Sequence, residues 1–394
     1  MFFMKSSALI IFIVLLYINF FGILDVSNTM LLASLLPFIA VGINKKNIFN
    51  EIFICFIIGL ICNFISCYYY NGQDFLSSFK AVPNYLYILS FYLFFLINPT
   101  LRALNKAILY LIIIFDVIYI LQFILLQVGM IFLPLDKDTF ADIGNDARFR
   151  MVAGGLVSLG MFYGCNRYVL KKDAISILVF LLSFIVVILM AFRTMIFCSI
   201  IISILLIIRL QGFSKKTIML FVFSFIAFIL LLNVPIISEK MDYMLEKQFG
   251  SNAETFSNKD YIRNVTLFYY LKLHFKSVAE YFFGSGMPFI NHPYHHEMDD
   301  LNSQGIFYQD WGLLGLSWML GVIPVFCMIW YSVKAALIKV DKSYYYIGAW
   351  FIYLIISSIT TAEFFREGNF VIQSLCLYII YRANVLYINE LRYK

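Results

Sequence analysis

Charge is what this chain has least of. Only 13% of its 394 residues are Asp, Glu, Lys or Arg, against about 25% in a soluble domain, and that scarcity excludes an ordinary soluble fold. Histidine is rarer still, at four residues. The 20 glycines and 8 prolines are ordinary numbers, so nothing indicates a fibrous or disordered chain. The seven cysteines (Cys55, Cys62, Cys67, Cys165, Cys198, Cys327, Cys376) nearly all fall in apolar runs. Their odd number and hydrocarbon setting argue against a disulfide framework and a zinc site and read as packing residues. No small-residue cleavage site follows the first apolar run, 7–24, which therefore reads as a retained helix rather than a signal peptide. There is no internal repeat and no low-complexity tract, so residues 1–394 read as one polytopic domain.

What the chain has instead is hydrocarbon: 62% hydrophobic and 19% aromatic residues. A bilayer-crossing helix needs roughly twenty mostly apolar residues. On that scale spans are expected near 7–24, 29–43, 50–68, 85–98, 107–131, 151–169, 174–191, 195–210, 217–235, 311–333, 343–361 and 368–385. The heavy use of Ile, Phe, Tyr, Asn and Lys hints at an AT-rich bacterial genome.

The charges test this division independently. With the N-terminus cytoplasmic, 17 basic residues and four acids fall inside, while 12 basic and 18 acidic residues fall outside. Asp116 sits within the fifth span and reads as a hydrogen-bonding carboxyl facing the bundle. Every short loop then obeys the positive-inside rule, which an error of one span would scramble. The expectation is an all-α integral membrane protein of about twelve transmembrane helices with both termini cytoplasmic. The net charge of +6 reports this topology rather than a nucleic-acid partner. Two external segments are long, about 134–150 and about 236–304, and the second is too long for a mere connector. Within it, Tyr261 to Tyr281 carries enough apolar residues for an amphipathic helix at the membrane surface.

Three constellations carry chemistry. Arg148, Arg150, Arg193, Arg263 and Arg366 all lie on the outer side, against the charge bias. Arg193, in ILMAFRTMIF, is flanked by apolar runs; a charge there is costly, and a guanidinium fork suits phosphate. The competing reading is an arginine that snorkels to lipid headgroups. The second constellation, NHPYHHEMDD, holds His292, His295, His296, Glu297, Asp299 and Asp300. It reads as a divalent-metal site, as acid–base or substrate-contacting groups, or as a solvated loop tip. The third is FFGSGMPF, whose Gly284 and Gly286 permit a tight turn, followed by QDWGLLGL with Asp310, Gly312 and Gly315 at the start of the tenth span. Glu363, Arg366 and Glu367 read by default as a local ion-pair cluster.

About twelve spans, enlarged third and fifth external loops, Arg193 in FRT, Arg263, the Gly284-Ser285-Gly286 turn and a helix opening DWGLLG together form a pattern. It resembles the superfamily of Wzy-type O-antigen and capsule polymerases and lipopolysaccharide O-antigen ligases, over most of the chain. Departures exist. A His-Asn pair common in the family falls here on Leu301-Asn302, leaving His295, His296, Asp299 or Asp300 as the open substitute, and the family's arginine-to-glycine spacings are not matched. The resemblance implies glycan transfer from an undecaprenyl-diphosphate donor to an acceptor hydroxyl on the outer face of a bacterial cytoplasmic membrane, without a cofactor or metal. Arg193 and Arg263 would stabilise the leaving diphosphate, and His295, His296 or Asp300 would take the hydroxyl proton. Arg148, Arg150, Gly284, Gly286, Asp299 and Asp310 would contact substrate. A flippase and a chain-length regulator are expected partners, beside membrane lipids. A ligase, which differs only in acceptor, and a lipid-linked oligosaccharide transporter are the alternatives.

Overall fold

The computed structural model describes residues 2–24, 26–133, 151–190, 192–213 and 261–392. The ninth apolar run and the segment holding Arg148 and Arg150 lie outside the described residues. Among those described, every regular element is helical. The helices are α1 (Phe2–Tyr17), α2 (Asn28–Gly42), α3 (Asn50–Asn71), α4 (Phe75–Ala81), α5 (Pro83–Ile97), α6 (Leu101–Gln127), α7 (Gly155–Lys171), α8 (Ala174–Leu189) and α9 (Arg193–Gln211). After the undescribed stretch come α10 (Ile262–Tyr269), α11 (Val278–Phe283), α12 (Pro293–Ser303), α13 (Gly312–Leu320), α14 (Val322–Leu337), α15 (Tyr345–Ser357) and α16 (Asn369–Arg392).

Helix starts follow their capping residues. Asp74 accepts from Ser77 N at α4, Thr100 from Ala103 N at α6 and Asp173 from Ser176 N at α8. Each satisfies a backbone donor that the first turn leaves orphaned.

Four helices, α3, α6, α9 and α16, are long and apolar enough to cross a membrane, and the pair α4–α5, bent by 68°, is a fifth candidate. α1, α2, α8 and α14 are apolar but shorter. Two expected continuous elements are broken. The tenth run divides at Gly321 into α13 and α14. The amphipathic stretch after Tyr261 ends as α10, widens into a π-helical turn at Tyr270–His274 and restarts as α11 behind a Ser277 cap. Tertiary contacts override the helical pattern there, because the Tyr270 ring stacks on Trp318 with centroids 4.6 Å apart.

The core is aromatic, with Trp318, Trp350, Tyr87, Tyr92, Tyr119 and Tyr331 among its largest fully buried side chains. Asp116 faces the bundle, is fully buried and accepts from Ser183 Oγ at 2.6 Å. Gly160 makes room for that serine, since a Cβ there would lie 2.2 Å from its Oγ.

Hydrogen bonds gather the loops into two sets. At one end Asn50 Nδ2 donates to Ile43 O, Asn105 Nδ2 to Tyr344 Oη, Asn166 Nδ2 to Ser343 O and Asn384 Nδ2 to Lys339 O. At the other end Tyr87 Oη donates to Asn28 O, Ala153 N to Glu367 O, Trp311 Nε1 to Arg263 O and Leu313 N to Ser358 O. The first end carries the lysine-rich turns around 45–46, 171–172 and 339–342. The second holds the polar features discussed next.

Candidate functional site

A cavity of about 1060 Å³ opens where six segments of the second end converge. Its lining comes from Asn19, 22–24 and 26–28, Asn84 and Tyr85, 131–133, Met151 and Val152, Tyr308 and Gln309, and Ala362 with 365–367. The segment after α15 is tied down by bonds a polar turn needs when it is buried. Phe364 N donates to Ser358 Oγ at 2.6 Å, Gln373 Nε2 to Phe364 O at 2.7 Å, and Asn369 Nδ2 to Glu363 O at 2.6 Å. Asn369 Oδ1 in turn accepts from Gly155 N at 3.0 Å, linking the turn to the start of α7. Gly368 (φ +80°) fits against Ala153, whose backbone N a Cβ would approach to 2.9 Å.

This scaffold holds Arg366 at the cavity wall, its side chain 12% exposed. Nη2 lies 3.0 Å from Oε2 of Glu363, whose side chain is wholly buried. Neither Glu363 oxygen receives a well-directed hydrogen bond from the described residues, so within them proximity of charge rather than bond geometry holds the pair. The guanidinium carbon lies 5.5 Å from the centroid of Phe192, the residue preceding α9, a cation–π contact. Nη1 packs on Gly154, where a Cβ would come within 2.7 Å, and is buried with no acceptor among the described residues. The buried Tyr353 hydroxyl lies within electrostatic reach of both Glu363 and Arg366 and within hydrogen-bonding reach of Ser158. A buried donor left without an acceptor costs about 1–3 kcal/mol. Tyr308, which also lines the cavity, has the pKa of its hydroxyl raised above the ordinary value by burial. Glu367 is the carboxylate lining the cavity among the described residues.

The glycine pair builds a different feature. Residues 284–289 form an extended strap wedged between α3 and the break at Gly321. Ser285 N and Gly286 N donate to Trp318 O and Met319 O, carbonyls freed by that break. α3 clamps the other side: Asn63 Nδ2 donates to Phe283 O and Met319 O, Ser66 Oγ to Gly284 O and Asn71 Nδ2 to Ser285 O. Gly284 (φ +85°) has no room for a Cβ, which would meet Gly321 N at 2.4 Å. Ser285 Oγ lies 3.0 Å from Nε2 of His274, whose pKa burial, aided by Lys276, lowers to about 4.

The expected residues divide accordingly. Arg193 opens α9, exposed, one residue after the phenylalanine beneath Arg366. Arg263 is half-buried on α10, and its carbonyl receives Trp311 Nε1 at 3.0 Å. Asp310, half-buried, directly follows the cavity residues Tyr308 and Gln309. The histidine cluster lies on α12, away from the cavity lining. His292 caps that helix, and His295 Nε2 pairs with Asp299 Oδ2 at 3.2 Å. His296, Glu297, Asp299 and Asp300 are exposed. Among the described residues no three His, Cys, Asp or Glu side chains group closely enough to hold a metal ion. Gly284 and Gly286 belong to the strap rather than to the cavity wall, and Arg148 and Arg150 lie outside the described residues.

Sequence reasoning undervalued Arg366. Its ion pair with Glu363 is there, but the arginine also lines the cavity. The available signal was an arginine on the outer side in a turn (EFFREGN) between two apolar runs. His274, the fourth histidine, carried no pattern that pointed to Ser285.

No protein-family model matches the chain, and no curated protein or solved structure matches it either.

Proposed function

We propose that this protein is a polysaccharide polymerase of the cytoplasmic membrane, which joins lipid-linked oligosaccharide repeat units on the outer face. The observation that carries the reading is the cavity of about 1060 Å³ at the lysine-poor end of an apolar helical bundle, with a guanidinium in its wall. A membrane enzyme acting on a polyprenyl-diphosphate donor needs such a cleft at one interface, where the lipid anchor stays in hydrocarbon and the glycan reaches water. Lysine-rich turns at the opposite end support placing that end in the cytoplasm. In this topology both termini are cytoplasmic, twelve spans cross the bilayer, and the loop between spans nine and ten is external.

In the proposed reaction an acceptor hydroxyl attacks the anomeric carbon of the donor sugar. The new carbon–oxygen bond forms as the bond to the lipid diphosphate breaks, and the electron pair departs on the diphosphate. Charge developing on the leaving group calls for preorganised cations, and Arg366 and Arg193 lie at the same end of the bundle to supply them. The hydroxyl proton needs an acceptor within reach. Glu367 in the cavity wall is better situated for that than His295, His296 or Asp300 on α12.

The broken helix at Gly321 and the bent pair α4–α5 favour a second reading, a transporter of lipid-linked oligosaccharide, since interrupted helices are common in transporters. A deletion strain separates the two. Loss of long surface glycan, with single lipid-linked units accumulating on the outer leaflet, supports polymerase. Units trapped on the inner leaflet support transport. Full-length lipid-linked chains that remain unattached indicate a ligase.

A further inference from the structure

At the cavity end, the surface around the last turn of α3 is apolar where a solvated loop would be polar. α3 itself marks where a bilayer meets this end. Its exposed residues Ile54, Ile58, Ile61 and Ile65 recur at helical spacing as one stripe, which ends in Tyr68 and Tyr69. Asn50 to Tyr69 covers roughly 28 Å of helix, against a hydrocarbon core of roughly 30 Å. Aromatic rings with a polar tip favour the boundary between hydrocarbon and headgroups, and the two tyrosines stand at that level.

Two short helices join α3 there. Phe75 opens α4 with its ring 6.1 Å from that of Tyr68. α4 departs from α5 by 68°, which brings it near the bilayer plane when α5 is upright. Phe75 and Leu76 are exposed, while Ser78 is buried and accepts from Gln73 Nε2 at 3.1 Å. α11 is tied to the same turn of α3: Ser277 Oγ donates to Tyr70 Oη at 2.6 Å, and Lys276 Nζ to Tyr70 O at 2.6 Å. Val278 and Phe282 lie one turn apart on one face of α11, 86% and 47% exposed. Glu280 turns inward, buried, and accepts from Lys276 N at 2.7 Å. Single exposed apolar residues are ordinary on any surface. Six from three elements, linked at one depth, make a patch that needs a partner.

We propose that α4 and α11 are interfacial anchors, seated in the headgroup–acyl boundary of the leaflet at the cavity end through Phe75, Leu76, Val278 and Phe282. The partner is the lipid surface, because the patch continues the exposed apolar stripe of α3. The contact is centred on α11, beyond the π-helical turn, rather than on one helix over 261–281, and α4 joins it from another part of the chain. The consequence is positional. Gln73, just before α4, holds the strap by donating to Met287 O and accepting from Phe289 N, and the strap begins where α11 ends. The two anchors thereby fix the depth of the strap in the membrane. The proposal holds whether the protein transfers glycan or transports it.

The test places a fluorescent amino acid singly at Val278, Phe282 or Leu76 of the full chain, in phosphatidylcholine nanodiscs loaded with one protein each. Ile61 on α3 and Ser303 on α12, both exposed, give the hydrocarbon and water references. At the three sites, a lipid nitroxide near the headgroup is expected to quench about twofold or more better than a deep acyl-chain nitroxide. Ile61 should show the reverse order, and Ser303 should respond to iodide in water alone. Sites that respond to iodide as Ser303 does, and to neither nitroxide, overturn the proposal. Protection from every quencher overturns it too, since another part of this chain would then cover the patch. A measurement without labels follows proteolysis within 278–289 in nanodiscs. Val278→Asp combined with Phe282→Asp is expected to speed cleavage about fivefold or more by releasing α11 from the lipid. An unchanged rate in the folded variant contradicts the anchor.

Discussion

At the scale of single residues, the account makes three demands. Gly284 adopts φ +85° and ψ 155°, a region almost reserved for glycine, and faces backbone atoms that cannot yield. Gly284→Ala is expected to cost about 3 kcal/mol or more, combining strain with overpacking, seen as a large fall in melting temperature of the detergent-purified protein. His274 gives a pH signature. The unfolded chain takes up a proton near pH 6.5, whereas the folded chain holds this imidazole neutral down to about 4. The stability contributed by neutral His274 is therefore complete above about pH 6.5 and is lost as pH falls through that window. The loss is on the order of 2 kcal/mol, allowing for the partial exposure of the ring. Between pH 7.5 and 4.5 the melting temperature of wild type should drop further than that of His274→Gln, and parallel drops would remove this residue from the account. Glu367→Gln should lower kcat of glycan transfer by roughly a hundredfold, the scale of a lost general base, with donor binding little changed. An unaltered rate would return the proton acceptor to the loop histidines.

At the scale of elements, hydrocarbon-length runs were legible and their interruptions were not. The runs near 50–68, 107–131, 195–210 and 368–385 each coincide with one of the helices long enough to span, because a run of apolar residues has one common solution in a bilayer. The break at Gly321 follows from a strap that arrives from residues 284–289, far away in sequence, and takes the carbonyls of Trp318 and Met319. Nothing local in GLLGLSWMLGVIP announces that partner. Asn63 shows the same limit: one polar residue in an apolar run, it serves two carbonyls more than two hundred residues away. Replacing Asn63 by Leu keeps the volume and strips both carbonyls of their donor. A loss of about 2–4 kcal/mol is expected, read as a lower melting temperature and earlier proteolysis near the strap. An unchanged melt would mean that water replaces the amide.

The site was legible in kind more than in place. Outer-side arginines stood out by breaking the charge bias, and Arg193 does lie next to the phenylalanine under Arg366. The histidine cluster drew notice through density alone, yet its residues fall on an exposed helix outside the cavity lining. Glu363, Arg366 and Glu367 read as no more than a local ion-pair cluster, because spacing in sequence carries no information about burial. The depth of Glu363 and Arg366 depends on Asn369, Gly155 and Gln373, contacts set by how α7 and α16 pack around the turn.

At the scale of the whole molecule, the two ends of the bundle differ in character: one is ringed by lysine-bearing turns, the other by the polar cavity. Alkaline phosphatase fused after Gly72 or Gly305 should be active, and fusions after Lys46 or Lys172 inactive, since that enzyme requires an oxidising compartment to form its disulfides. The reverse pattern would invert the protein and put the cavity in the cytoplasm. The central claim is that glycan transfer takes place at this cavity. The most direct measurement incubates the purified protein with lipid-linked single repeat units extracted from the deletion strain and follows glycan length. The account predicts a ladder of longer glycans with release of the free polyprenyl diphosphate, abolished by Arg366→Gln in protein that still elutes and melts as wild type does. Failure of the folded wild type to extend the units, or a ladder undiminished by Arg366→Gln, would contradict it.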